Sequence, residues 1–234
     1  RRVLFRSVAA SYCGEMRIYV MDRPFFNASM APNGYMEVWS GLMLRARNEA
    51  ELSFALGHEI GHFAHSHSWQ SFQDAKARAD GAMVASLLIS AAGVVAMANA
   101  STTQAIQNIS NATQGLVSVV YLGALAGMFA FTRENESEAD RYGFNASVQA
   151  SYHPSAPAAI WKRLREETAA SDFKKTRESD THTSIFDSHP LVSERVDALE
   201  KLAGASPQSG ATEEQRYRAA IRPFLSAWLK DDLR

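Results

Sequence analysis

Leu52, Leu56, Ile60 and Phe63 recur at spacings of four, four and three, so one face of this stretch is apolar at the helical period. Asn48 followed by Glu51 reads as an N-cap with its partner three residues on, which places the start of the helix near Asn48. Upstream, Arg17–Met21, Phe25–Asn27 and Tyr35–Trp39 are rich in β-branched and aromatic residues. Asp22-Arg23-Pro24 and Ala31–Gly34 separate them, so three short strands are predicted. Downstream lie two uncharged apolar stretches, Met83–Met97 and Gly115–Phe131, joined by the polar segment Asn99–Gln114. Together, residues 83–131 read as an apolar helical hairpin. Each arm falls short of the ~20 residues that comfortably span a bilayer. The arms are also rich in Ala, Gly and Ser, which suits close helix contact, so a buried or interfacial hairpin is the first reading and a membrane hairpin the second. Further helices are predicted around residues 133–143, from His153-Pro154 through Trp161, Leu164 and Thr168, over Leu191–Ala203, and over Glu213–Arg234. Ser171–Thr183 reads as a polar loop and Ala205–Gly210 as a linker. The fold class is α+β, mainly helical, with a small β-sheet.

Composition narrows the function classes. The chain has 234 residues, 46% of them hydrophobic, which suits one domain with a sizeable core. Its net charge is −1 and it has no basic cluster, so nucleic acid is excluded as the expected partner. Cys13 is the single cysteine, which rules out an intrachain disulfide and a cysteine-based zinc site and leaves the redox compartment open. Residues 1–7, Arg-Arg-Val-Leu-Phe-Arg-Ser, are also the direct translation of a common sequencing-adaptor end. They are read as an artefact, with the protein's own sequence beginning at Val8 and any targeting signal therefore unreadable. Residues 205–234 are read as a linker and the start of a truncated helical extension.

The chemistry lies on the first helix. His58-Glu59-Ile60-Gly61-His62 is an H-E-x-x-H pentapeptide. Residues four apart on a helix share a face, so two imidazoles can hold one zinc ion while Glu59 reaches a water beside it. A catalytic zinc takes three protein ligands and keeps one position open. His65 lies roughly 10 Å along the axis from His58, too far to share the ion. On a continuous helix His67 faces another side, so both are read as a polar rim. Residues 133–143, Arg-Glu-Asn-Glu-Ser-Glu-Ala-Asp-Arg-Tyr-Gly, offer a better third ligand. Glu136 and Asp140 share a helix face. One carboxylate can bind the metal while the other accepts the ring N–H of a ligating histidine, and Glu134 and Glu138 face outward.

H-E-I-G-H at 58–62, E-x-x-A-D at 136–140, and a late His189-Pro190 followed by Arg195 resemble metallopeptidase family forty-eight. That family includes the CAAX prenyl endopeptidase, a membrane heat-shock protease and periplasmic outer-membrane quality-control proteases. Asn27-Ala28-Ser29-Met30-Ala31-Pro32-Asn33-Gly34 is similar to the run that precedes the family's helix at Gly41-Leu42-Met43. The resemblance covers roughly residues 16–203. It implies a zincin-like domain over residues 8–204 with one zinc per chain, ligated by His58, His62 and Glu136. Glu59 would be the general base and Asp140 the partner of a ligating histidine. His189 would sit near the metal, stabilising the oxyanion or masking the zinc, and Arg195 is a weaker candidate. The sheet edge at Asn27, Ala28, Ser29 and Met30 is expected to take substrate as an added strand.

The expected function is zinc-dependent endopeptidase action on extended or misfolded polypeptides, in a bacterial envelope, periplasmic or membrane-associated, with membrane association through 83–131. A noncatalytic zinc-containing chaperone or adaptor, and an integral membrane protease, stay open as alternatives.

Overall fold

The computed structural model describes residues 16–126, 131–172 and 193–232. They fall into two compact units, one taking the residues up to Ser68 and from Phe131 onward, the other starting at Trp69.

In the first unit, β1 (Arg17–Met21), β2 (Ala28–Met30) and β3 (Tyr35–Trp39) form a sheet of order β1-β3-β2. β3 pairs in parallel with β1, Arg17 opposite Tyr35, and antiparallel with β2, Ala28 opposite Val38. Alternation along β3 buries Met36 and Val38 and leaves Tyr35, Glu37 and Trp39 half-covered. The strand expected at 25–27 begins instead at Ala28. The Pro24 and Phe25 carbonyls press on Gly41, where a Cβ would meet either oxygen at 2.3 Å, and the chain turns there before it can pair.

α1 (Ser40–Arg45) leads to α2 (Glu49–Ala64), the helix of the His-Glu motif. Its cap is the predicted one on one side only. The Glu51 N–H donates to Asn48 Oδ1 at 3.0 Å, but the Glu51 carboxylate accepts from Arg47 N at 2.8 Å and from Arg163 Nη1 at 2.9 Å. A buried carboxylate is better balanced by a guanidinium than by one amide, which explains the diversion. α5 (Arg133–Gln149) starts on a reciprocal Thr132–Asn135 capping box. α6 (Ala156–Ala169) packs on α2, and α7 (Ser193–Gly204) packs on α5 and α6. Phe26, Leu42, Phe54, Ile160, Trp161 and Leu199 are core members.

The C-terminal part is two helices rather than one, α8 (Glu214–Ile221) and α9 (Leu225–Asp232), with a 3₁₀ turn at Arg222–Phe224. Pro223 cannot donate to the helical ladder, and the interruption falls on it. This segment packs on the common core: Tyr217, Ile221 and Trp228 are buried, and the Tyr217 hydroxyl donates to the Met43 carbonyl at 2.6 Å.

The second unit holds most of α3 (His67–Ala98) and α4 (Thr103–Ala126). The turn between them is residues 99–102, much shorter than the polar stretch 99–114. Gln104, Gln107, Asn108 and Asn111 lie on α4, where Gln104 donates to Asn108 and Gln107 to Asn111 across one helical turn. Gly93 lets the arms meet: a Cβ there would lie 2.4 Å from Thr113 Oγ1. Of the buried or interfacial hairpin expected first, the buried form does not hold for many of its large apolar side chains. Met83, Val84, Leu87, Leu88, Val94, Val95, Leu116 and Val119 are exposed, Leu88 by 67%. Among the described residues, α3 is the one helix long and apolar enough to cross a membrane.

Candidate metal centre

The site exists because two helix backbones almost touch. A Cβ at Gly57 would lie 2.9 Å from the Gly143 Cα, and one at Gly143 would lie 2.7 Å from the His58 backbone nitrogen. At Gly61 a Cβ would come within 3.0 Å of the Ala139 Cα. The stripe of small residues at Gly57, Gly61, Ala139 and Gly143 thus lets α5 lie directly on the motif face of α2. Gly143→Ala is expected to force these helices apart, cost about 1–3 kcal/mol of stability and weaken metal binding. Thermal unfolding and a zinc-chelator competition titration check it; unchanged values in both would contradict this account of the packing.

That approach delivers a carboxylate to the imidazole pair. His58 Nε2 and His62 Nε2 are 3.1 Å apart. Glu136 Oε2 lies 3.4 Å from the first and Oε1 3.4 Å from the second. Four tetrahedral donors bound at about 2.0–2.1 Å are about 3.3 Å from each other. The three spacings match that figure, and all three residues are buried. The donor set, two neutral imidazoles and a carboxylate, is one that zinc accepts in catalytic sites.

Around the three donors lies a second layer of contacts. His58 Nδ1 is 3.0 Å from Asp140 Oδ1, so an imidazole ligating through Nε2 would donate its remaining N–H to Asp140. Arg195, from α7, clamps Glu136 and Asp140 of α5. Its Nε and Nη2 donate to Asp140 Oδ2 and Oδ1 at 2.7 and 2.8 Å, and its Nη1 lies 2.6 Å from Glu136 Oε2. Its guanidinium carbon stands 5.1 Å from the centre of the Trp161 ring. The weak sequence candidate is thus central to the site. Burial pushes the Asp140 carboxyl up, but the Arg195 charge outweighs it and holds the group at about 2. Burial likewise pulls the His58 imidazole down, and the Asp140 and Glu136 carboxylates override this and raise it to about 9 in the metal-free protein. Glu59, next to His58 on α2, is 7% exposed.

His67 corrects the polar-rim reading. It is buried, and its Nδ1 lies 3.0 Å from His62 Nδ1 while its Nε2 lies 3.1 Å from Glu138 Oε2. The projection failed because α2 does not continue. Ser66 adopts φ 57°, a left-handed turn that ends the helix and brings His67 back towards His62. The rim reading suits His65 better: its side chain is 36% exposed, and its Nδ1 is 3.1 Å from Glu138 Oε1. Phe131 stacks on the His62 ring with centroids 4.0 Å apart. Asn27 through Met30 lie at the β2 edge, against α2. His189 and residues 1–7 lie outside the described residues.

Two histidines one helical turn apart, a glutamate between them and a carboxylate from a second helix define the gluzincin class of metallopeptidase site. The chain belongs to peptidase family M48, whose model matches residues 2–203. It is 31% identical over 197 residues to a Vibrio cholerae protein provisionally named a beta-barrel assembly-enhancing protease, covering 84% of this chain and 36% of that protein. It is 25% identical over 205 residues to the beta-barrel assembly-enhancing protease of Escherichia coli K12, covering 87% and 38%. With the mitochondrial metalloendopeptidase OMA1 of Bos taurus it shares 24% identity over 226 residues, covering 92% and 39%. The chain therefore spans a little over a third of the length of these relatives. Membership of the family implies a metal at the site and a polypeptide as substrate.

Proposed function

We propose that this chain is the catalytic domain of a zinc-dependent endopeptidase that cuts extended or misfolded polypeptides in a bacterial cell envelope. The observation that carries the reading is the convergence of His58, His62 and Glu136 at spacings of 3.1–3.4 Å, with Glu59 adjoining. The relatives named for beta-barrel assembly support the envelope setting.

A zinc ion held by His58, His62 and Glu136 would polarise the scissile carbonyl as a Lewis acid and would lower the pKa of a water towards neutrality. The chain's own groups do the rest. Glu59 takes the water's proton and passes it to the leaving amine. Asp140 holds the His58 ring in the tautomer that leaves Nε2 free. Arg195 balances the two buried acids, so that Glu136 stays ionised as a ligand. His189 is assigned to the developing oxyanion or to masking the metal at rest.

The substrate is proposed to add to β2. Asn27 O accepts from Trp39 N, and Ala31 N donates to Tyr35 O, so odd-numbered residues of this segment bond inward to β3. By the alternation of an antiparallel ladder, the backbone groups of Ala28 and Met30 face the other way. No described strand pairs on that side. A peptide held there loses binding when alternate backbone nitrogens are methylated, with KM expected to rise about tenfold per lost bond in an every-other-residue pattern. A uniform response along the peptide would contradict strand addition.

The exposed apolar side chains of α3 and α4, Leu88 and Val119 among them, support membrane association of the second unit. Cleavage of an unfolded protein such as casein tests the whole proposal. Activity lost on chelation and restored by zinc is expected. Stoichiometric zinc without cleavage of any unfolded substrate would favour a noncatalytic chaperone.

A further inference from the structure

We propose that the cavity lined by α1, α6 and α8 docks a polypeptide segment in which acidic residues alternate with apolar ones. The cavity measures about 770 Å³, within the ~300–1,000 Å³ of ordinary ligand sites. It belongs wholly to the first unit, and none of the residues that converge at the metal centre lines it. Part of its wall, Tyr217 to Leu225, lies beyond residues 2–203 that the family model matches. Phe26, Ile160, Leu164 and Leu225 give it an apolar lining. Among the described residues, its charged lining is five arginines and two glutamates. The chain as a whole carries a net charge of −1, so the excess of cations is a property of this cavity and not of the protein's surface at large.

Three of the arginines are paired. Arg45 Nε lies 2.9 Å from Glu167 Oε1, Arg163 Nη1 donates to Glu51 Oε1 at 2.9 Å, and Arg218 Nε lies 2.9 Å from Glu214 Oε1. Arg47 and Arg222 are exposed, and their guanidiniums form no ion pair with a described residue. A guanidinium without an anion suits a carboxylate: it offers parallel N–H donors and is more weakly hydrated than an ammonium. Apolar positions interleave with these cations. Leu44 and Ala46 alternate with Arg45 and Arg47, and Ile221 and Leu225 flank Arg222. The interleaving sets the class of ligand. A lone phosphate or a lipid headgroup pairs with the cations but leaves the apolar lining wet. A wholly apolar ligand covers the lining but takes guanidiniums out of water with no anion beside them, which is costly. A chain that carries both kinds of side chain in alternation answers both parts of the cavity. In the endopeptidase proposed above, the cavity selects substrates that carry such a segment. That consequence rests on the endopeptidase reading, whereas the docking itself does not.

The test is fluorescence anisotropy of a short dye-labelled peptide alternating leucine and glutamate, titrated with the full zinc-loaded chain carrying Glu59→Gln so that the peptide is not consumed. The peptide is expected to bind, and to bind less tightly as salt is raised. A leucine–glutamine counterpart lacks the carboxylates and should bind about tenfold more weakly. A serine–glutamate counterpart lacks the apolar contacts and should weaken by about as much. Arg47→Gln and Arg222→Gln should each weaken binding of the leucine–glutamate peptide about three- to fivefold. Both side chains are exposed, so Tm should stay at the value of the unsubstituted residue. Equal binding of the three peptides, or binding unchanged in the double variant, overturns the proposal. So does tighter binding of anionic phospholipid vesicles or inorganic phosphate that is lost in the same double variant. Appending the leucine–glutamate segment to an unfolded substrate of the active chain separates the two readings. A lower KM, lost in the Arg47→Gln, Arg222→Gln double variant, is expected. If the peptide binds as described and no unfolded substrate is cut, the endopeptidase reading is what fails and the docking cavity stands.

Discussion

Glu59→Gln is expected to bind zinc as tightly as the unsubstituted chain while cleaving peptides about a thousandfold more slowly. The substitution keeps shape and removes only the basic carboxylate. Glu59 is not one of the three converging donors, so the metal has no reason to leave. Nor is it an exposed bystander: it is 7% exposed, and its charge is felt by Arg195. The change should appear in kcat, since the proton is moved only once substrate is bound. Metal content by elemental analysis, paired with cleavage kinetics, checks both halves. A variant that cleaves at the unsubstituted rate would end the assignment of Glu59 as base.

The second large effect is on stability. Arg195 is 6% exposed and lies against Asp140 and Glu136, exposed by 4% and 1%. Arg195→Met fills similar space but removes the guanidinium that lies against both buried carboxylates. Breaking such a cluster from one side costs about 3–5 kcal/mol, which for a domain of this size lowers Tm by roughly 10 °C. The loss should be largest without zinc, because a bound dication restores part of the missing charge beside Glu136. Thermal unfolding with and without metal measures this. Equal Tm values for the variant and the unsubstituted chain in the metal-free state would show that Arg195 is a spectator.

How far the sequence carried these conclusions depended on the range of each interaction. α2 was legible because its apolar spacing and its Asn48 cap are local, and local forces built both. Glu136 and Asp140 were legible as a pair on one face. Spacing alone left their roles open; the structure gives Glu136 oxygens to both Nε2 atoms and an Asp140 oxygen to Nδ1 of His58. His67 was missed because one left-handed residue, Ser66, broke the helical projection used to place it. Arg195 was undervalued because its partners are fifty-five and fifty-nine residues away in sequence, and an arginine on a short helix carries no local sign of burial. The glycines that bring α2 and α5 together have the same difficulty: Gly57 and Gly143 mean little until each is seen against the other's backbone. At Pro223 the sequence did carry a readable signal, a residue unable to continue the helix, and the single-helix expectation passed over it.

The most direct measurement is an anomalous difference map, collected at the zinc edge, from crystals of the chain loaded with one equivalent of zinc. The account predicts one dominant peak within about 2.1 Å of His58 Nε2, His62 Nε2 and a Glu136 oxygen. A dominant peak elsewhere, or one on the two imidazoles with the Glu136 carboxylate out of bonding reach, would contradict it.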